Sequence, residues 1–223
     1  MRRLSLLSLL ALLLCVDGVQ AQQSEVLLGL KGGNNTLFGT YSALSIEARR
    51  VVGNHFLVRG GGQYNSYSRV AAEVRPAYYH DFDFGRLSAE LLLGYVAQSK
   101  IDNYTVGGGA TLDARPLWVT LGYFHRTMVR GGDTLIEPFN IYYELGLRAL
   151  PRSEKWDLNI VFTNSRMFEL ERHYQPTYAI DGWWYPTQRV GVLLGINYKP
   201  AGMFNMSSDY FQLNAKLGVC YRW

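Results

Sequence analysis

The sequence has little of what usually holds a soluble protein together. Two cysteines occur in 223 residues. Cys15 lies in an apolar leader, so the mature chain keeps only Cys220. That excludes an intrachain disulfide and a cysteine-based metal site. No apolar run reaches the roughly eighteen residues that a membrane-spanning helix requires. Charge of one sign is also missing. The whole chain carries 22 basic and 18 acidic residues. Without Arg2, Arg3 and Asp17 of the leader these fall to 20 and 17, a net of about +3 that argues against nucleic acid as a partner. Nowhere after residue 24 does an apolar stripe recur at helical spacing.

What is present begins with a targeting segment. Arg2 and Arg3 precede the apolar run Leu4 to Val16, and Val19-Gln20-Ala21 forms a small-residue cleavage pattern before Gln22. This is the pattern of a secretory signal peptide, too short in its apolar core to span a bilayer. Leu14 before Cys15 disfavours a lipid anchor, because lipid-modified signals need a small residue there. Residues 1–21 are set aside and 22–223 are read as one domain.

From Ser24 onward the chain alternates apolar and polar residues in segments of about ten, separated by turn residues, as half-buried strands do. Val26, Leu28 and Leu30 oppose Glu25, Gly29 and Lys31. Leu44, Ile46 and Ala48 oppose Ser45, Glu47 and Arg49, and the pattern recurs to the C-terminus. The longest connection is expected at Thr127 to Pro138. The segment Tyr174 to Tyr185 alternates least clearly, since Pro176 and Gly182 interrupt it. Twelve strands are expected, or ten if the two segments between Trp156 and Tyr185 fail to span.

The last fourteen residues carry the strictest alternation. Phe211, Leu213, Ala215, Leu217, Val219, Tyr221 and Trp223 are apolar and alternate with Gln212, Asn214, Lys216, Gly218, Cys220 and Arg222. This resembles the closing strand of bacterial outer-membrane β-barrels. The resemblance implies an all-β, closed, antiparallel transmembrane barrel in the cell outer membrane. It also implies an assembly signal at Phe211, Leu213, Leu217, Val219, Tyr221 and Trp223, read by the barrel assembly machinery.

Alternation does not say which face is inside. Side chains converge on the concave face, and glycines such as Gly29, Gly61, Gly94, Gly107, Gly109, Gly122, Gly146 and Gly191 fall on the face that carries the charges. The apolar face therefore points outward, to lipid. An up-and-down threading places Trp156, Trp184, Trp223, Phe56 and Phe82 at one end of that face. Tyr64, Tyr95, Tyr104, Tyr123, Phe139, Tyr178, Tyr198 and Phe211 fall at the other, which resembles the two aromatic girdles of a membrane barrel.

The inward face then carries Glu47, Arg49, Arg59, Glu73, Arg75, Glu90, Arg126, Glu144, Arg148, Asp157 and Lys216. Charges in a narrow lumen must be paired or hydrated. They form either a constriction that selects small polar solutes or a salt-bridged plug that fills the barrel, and twelve strands is the size at which both readings stand. No cofactor or metal is expected. Outer-membrane barrels also include lipases and deacylases, but no histidine here has Ser two positions later, as their His-x-Ser motif requires. His125 or His173 with Asp133 or Glu171 is the remaining catalytic arrangement. The expected function is thus a non-catalytic outer-membrane barrel, structural or a narrow pore. A lipid-modifying enzyme and a soluble periplasmic binding barrel are the alternatives.

Overall fold

The computed structural model describes residues 24–36, 39–98, 100–150, 155–170, 175–200 and 211–223. The expected signal peptide, and with it the 1–21 and 22–223 division, lies outside them. The strands are β1 (Glu25–Asn35), β2 (Gly39–Val52), β3 (Phe56–Asn65), β4 (Val70–Phe82), β5 (Gly85–Gln98), β6 (Ile101–Ala114) and β7 (Leu117–Arg130). They continue as β8 (Asp133–Arg148), β9 (Trp156–Thr163), β10 (Ser165–Arg166), β11 (Glu169–Leu170), β12 (Thr177–Trp184), β13 (Val190–Lys199) and β14 (Gln212–Arg222). Twelve of them close one antiparallel barrel, in which β1 pairs with β14 and every other barrel strand pairs with its sequence neighbours. β10 and β11 form a separate two-stranded hairpin. The segments of β9 and β12 both join the wall, which rules out the ten-strand alternative.

Closure removes every sheet edge, the condition for backbone to cross a bilayer with its polar groups paired. At the seam Ser24 N donates to Trp223 O over 3.2 Å, and Trp223 N donates to Ser24 O over 3.0 Å. The outward face is apolar and unburied by protein, with Leu44 63%, Leu121 60% and Leu194 63% exposed. An apolar belt of this kind has lipid as its natural solvent. Aromatic rings cluster at both ends of the belt. Trp156 lies 6.0 Å from Trp184 and Tyr221 lies 6.2 Å from Trp223 at the end holding the chain termini, taken as periplasmic. At the outer end Tyr95 and Tyr104 are 5.3 Å apart, and Tyr123 and Phe139 are 6.0 Å apart.

The segment Thr127 to Pro138 is not a loop. Thr127–Arg130 belongs to β7 and Asp133 onward to β8, and only Gly131 and Gly132 turn, both at positive φ (58° and 102°). Two consecutive residues at positive φ match the right-handed twist of the flanking strands, and glycine adopts them without strain. The polar composition of the segment, with Pro138 inside it, reads as a connection. A bulge accommodates the proline: Phe124 pairs with Asn140 and Arg126 with Glu137, so His125 faces both Pro138 and Phe139. The shift turns Glu137 inward, where its carboxylate lies 3.6 Å from Arg126.

The wall is uneven. β5 to β8 are 14 to 16 residues long, whereas β9 and β12 have 8 each. After β9, at the outer end, residues 164–170 turn back into the barrel.

Candidate functional site

The lumen is shaped first by glycine. A Cβ on Gly122 would lie 2.2 Å from Tyr142 Cζ, one on Gly109 would lie 2.3 Å from the Tyr142 hydroxyl, and one on Gly146 would lie 1.9 Å from the Trp118 ring. These glycines are seats on which large inward-facing rings lie flat against the wall. Tyr142 is completely buried there, packed with Leu92, Phe124 and Leu170. Cys220 is a small buried residue of the same kind, packed with Leu27 and Leu193 opposite Gly191.

Onto this wall the β10–β11 hairpin folds from the outer end. Asn164 begins the turn. Its Nδ2 donates to Ile141 O (2.9 Å) and its Oδ1 accepts from Tyr143 N (2.8 Å), which fastens the exit from β9 to β8. The hairpin then ties to walls on several sides. Lys31 of β1 forms an ion pair with Glu169. Arg166 reaches Asp181 of β12 (2.6 Å) and Asn197 of β13 (3.1 Å). Arg75 of β4 donates to Ser165 Oγ (3.1 Å), while Phe168 N donates to Glu73 Oε2 (3.0 Å). Arg69 and Arg126 donate to the Phe168 and Leu170 carbonyls, over 2.6 and 2.5 Å. Phe168 adopts φ +66°, a strained conformation for a bulky residue that tethers on both of its peptide groups hold in place. Burial pushes the Glu169 carboxyl upward, but the cations of Lys31 and Lys199 and the hydrogen bond from Lys31 outweigh it. The pKa is held at about 2.

Residues of 165–170 border three chambers. The inner one, ≈ 290 Å³, opens among Arg49, Arg59, Arg75, Arg86, Arg148, Glu90, Asp113 and Glu144. A middle chamber of ≈ 210 Å³ includes Lys31, Glu47, Lys216, Asp181 and Trp183. The outer one, ≈ 240 Å³, includes Arg69, Arg126, Glu73, Tyr95, Met128, Phe168 and Leu170.

The structure brings most of the expected charges into contact. Arg49, Arg59 and Arg75 stand in one register row across β2, β3 and β4. Glu90 accepts from Arg59 (2.5 Å), lies 3.5 Å from Arg75 and accepts from the Tyr142 hydroxyl (3.2 Å). Arg75 Nε also donates to Glu73 (2.5 Å). Lys216 pairs with Glu47 (2.7 Å). Arg148 grips Asp113 with two bonds of 2.8 Å each and stacks 4.8 Å from Trp118, whose indole donates to Glu144 (2.6 Å). Asp157 stands apart from these pairs and accepts from Asn159 (3.2 Å). Arg49 forms no ion pair among the described residues.

Several lumen residues escaped the reading of the sequence: Lys31, Arg69, Asp113, Tyr142, Arg166, Glu169 and Asp181. Lys31 and Asp113 were legible as inward positions of their strands. The hairpin residues were not, because Asn164 to Leu170 carries no alternation and is placed by partners on distant strands. Of the terminal-strand residues, Leu213, Leu217, Val219, Tyr221 and Trp223 are outward and exposed, and Phe211 is half-buried. Among the histidines, His125 is exposed on the outward face in register with Val106, while Asp133 pairs with Arg130 at the hairpin tip. His173 and Glu171 lie outside the described residues.

No protein-family model matches the chain, and no curated protein matches its sequence. Solved structures do. The KdgM porin is 14% identical with a TM-score of 0.53, covering 87% of this chain and 98% of that one. The NanC porin is 11% identical with a TM-score of 0.56 and the same coverage. The translocator domain of autotransporter NalP from Neisseria meningitidis is 16% identical with a TM-score of 0.56, covering 97% and 93%. At such identities the likeness is one of fold, and that fold is the outer-membrane β-barrel.

Proposed function

We propose that the protein is a non-catalytic outer-membrane channel for small anionic solutes, narrowed by the β10–β11 hairpin. The observation that carries the reading is the inner chamber, where five guanidinium groups face three carboxylates. Glu90 is shared between Arg59 and Arg75, Arg86 takes Asp81 at the rim (2.5 and 3.0 Å), and Arg49, in register with Glu25, forms no ion pair among the described residues. A chamber with surplus cations and low-dielectric walls concentrates anions. The KdgM porin has been solved in complex with disordered oligogalacturonate. That binding belongs to the KdgM porin, and the same charge class is supported here by this chain's own arginines.

The test is a planar bilayer under a salt gradient. The expected current is small and anion-selective, and replacing Arg49 and Arg59 together by Gln reduces the selectivity. Cation-selective current from the unmodified protein would overturn the reading. We also propose that the closing strand, with Tyr221 and Trp223 exposed on its outward face, is the segment engaged by the barrel assembly machinery.

A further inference from the structure

We propose that the inner chamber is a binding site for short acidic peptides with a free amino end, the ammonium taken by Glu144 and the carboxylates by Arg49 and Arg59. The inference rests on the channel reading above and names the solute that the channel admits.

The charges of this chamber are divided between facing walls. Arg49 stands on β2 and Glu144 on β8, six strands apart in either direction round the twelve-strand barrel, and both line the same space of ≈ 290 Å³. Most of the other charges cancel in pairs. Arg148 is held by Asp113 through two bonds of 2.8 Å, Arg75 by Glu73 (2.5 Å) and Arg86 by Asp81 (2.5 Å). Glu25, the register partner of Arg49, forms its ion pair with Arg222 (3.3 Å). Arg59 holds Glu90 (2.5 Å), but Arg75 and the Tyr142 hydroxyl share that carboxylate, and the Arg59 side chain stays 42% exposed. On the far wall Glu144 accepts from the Trp118 indole (2.6 Å) and forms no ion pair among the described residues. Arg166 of the hairpin, which borders the middle chamber with it, is bonded to Asp181 instead (2.6 Å). Cations thus remain on β2 and β3, and one carboxylate remains on β8.

A solute filling this space meets cations at one end and an anion at the other. A simple dicarboxylate satisfies Arg49 and Arg59 but turns its far end toward Glu144, which repels it. A peptide with an acidic last residue satisfies both walls. Its carboxylates fit the planar guanidinium forks with paired bonds, and its ammonium is a compact donor for the Glu144 oxygen that the indole leaves over. Because the two ends serve opposite walls, the charges must be held apart, and a dipeptide separates its ammonium from its carboxylates by one peptide unit. Thr120, in register with Glu144, and Thr111, bonded to it (2.8 Å), line the space between with hydroxyls. A chamber of ≈ 290 Å³ takes a small ligand and not a folded chain.

The experiment is titration calorimetry of the full chain, refolded in detergent, with glycyl-glutamate and with acetyl-glutamate, which differ only in the ammonium group. Glycyl-glutamate is expected to bind about tenfold more tightly, the order set by one charge-assisted hydrogen bond, although acetyl-glutamate carries the larger negative charge. Glu144→Gln, whose side-chain oxygen can still accept from the Trp118 indole, should abolish or reverse that preference. Arg49→Gln should weaken both ligands by a similar factor. Heat-modifiable mobility on a gel reports whether each variant is folded, and the comparison in the unmodified protein stands without them. Equal binding of the two ligands, binding of neither, or a preference that survives Glu144→Gln overturns the inference. Anion-selective current in planar bilayers without a preference for glycyl-glutamate removes the peptide site and leaves the channel reading. The preference without anion-selective current removes the channel reading and leaves the site.

Discussion

Replacing Gly122 by alanine tests whether glycine seats, rather than generic crowding, shape the lumen. The new Cβ would lie 2.2, 2.4 and 2.6 Å from Tyr142 Cζ, Cε1 and hydroxyl. Real carbon contacts do not fall that close, so the ring must leave. It has little freedom to move along the wall, because it is fully buried, its hydroxyl donates to Glu90 (3.2 Å), and Leu92, Phe124 and Leu170 enclose it. Eviction into the lumen forfeits most of a buried aromatic's packing, about 2–4 kcal/mol by analogy with large-to-small core changes. It also breaks the Glu90 bond. The matched control is Gly182→Ala on the outward face of β12, where the nearest atoms lie at 3.6 and 4.0 Å and a methyl group enters ordinary contact. Denaturant unfolding of the refolded barrel, or the temperature at which it loses its folded mobility on a gel, should drop clearly for Gly122→Ala and little for Gly182→Ala. Because the clash is with one ring, adding Tyr142→Ala should make the Gly122→Ala step nearly neutral in a double-mutant cycle. Equal losses at Gly122 and Gly182, or no coupling to Tyr142, would refute the seat.

Facing can be tested at adjacent residues of β7. Leu121→Arg, on a side chain 60% exposed to lipid, should cost about 2–4 kcal/mol. Thr120→Arg should be milder, because it enters the inner chamber in register with Glu144, and equal costs would contradict the facing. Deleting Tyr221 to Trp223 removes the seam bonds between Trp223 and Ser24 and should leave the protein unfolded in the periplasm, as checked by loss of the heat-modifiable form from outer-membrane fractions. The hold of Glu169 on the hairpin should be indifferent to pH near neutrality. A carboxyl whose pKa is depressed in the inserted state stabilises that state above its ordinary value of 4.5 and loses the effect as pH falls toward about 2. Open fraction should therefore be flat from pH 7 to 5, as those values are set for the assay, and rise below. Glu169→Gln should open the channel at rest and abolish the acid response, and opening between pH 7 and 6 would count against Glu169 as what holds the hairpin.

Much of the barrel was legible because each wall strand repeats one instruction. Leu28, Leu30, Leu194 and Leu217 are outward for the same reason, that every second side chain of a strand in lipid must be apolar, and a register slip would bury charge in hydrocarbon. Glycine on the charged face was legible too, although only as crowding, since nothing in the spacing of Gly109, Gly122 and Tyr142 says that a ring from β8 lies across β6 and β7. The error at Thr127 to Pro138 has a physical source as well. Above the apolar belt a strand no longer needs an apolar face, so β7 and β8 continue as strands while their sequence reads as a loop. Asn164 to Leu170 was left without an element, because it does not alternate, and what places it is the pairing of Asn164 with β8 and of Arg166 and Glu169 with residues more than ten positions away in sequence.

Seats and hairpin answer one problem of size. About eight strands enclose an interior that wall side chains fill, and sixteen leave an open channel. At twelve the wall residues fall short, and the shortfall must be filled with water or with chain. Here Tyr142 and Trp118 lie flat on glycine and so withdraw from the axis, which makes room for Ser165 to Leu170 to enter. The inserted chain is held mostly by ion pairs and polar bonds, with Phe168 and Leu170 its main apolar anchors. Apolar burial would fix such an insert permanently. Polar ties, unlike apolar burial, can be exchanged for water or other polar partners, and this difference separates a constriction that can open from a plug that cannot.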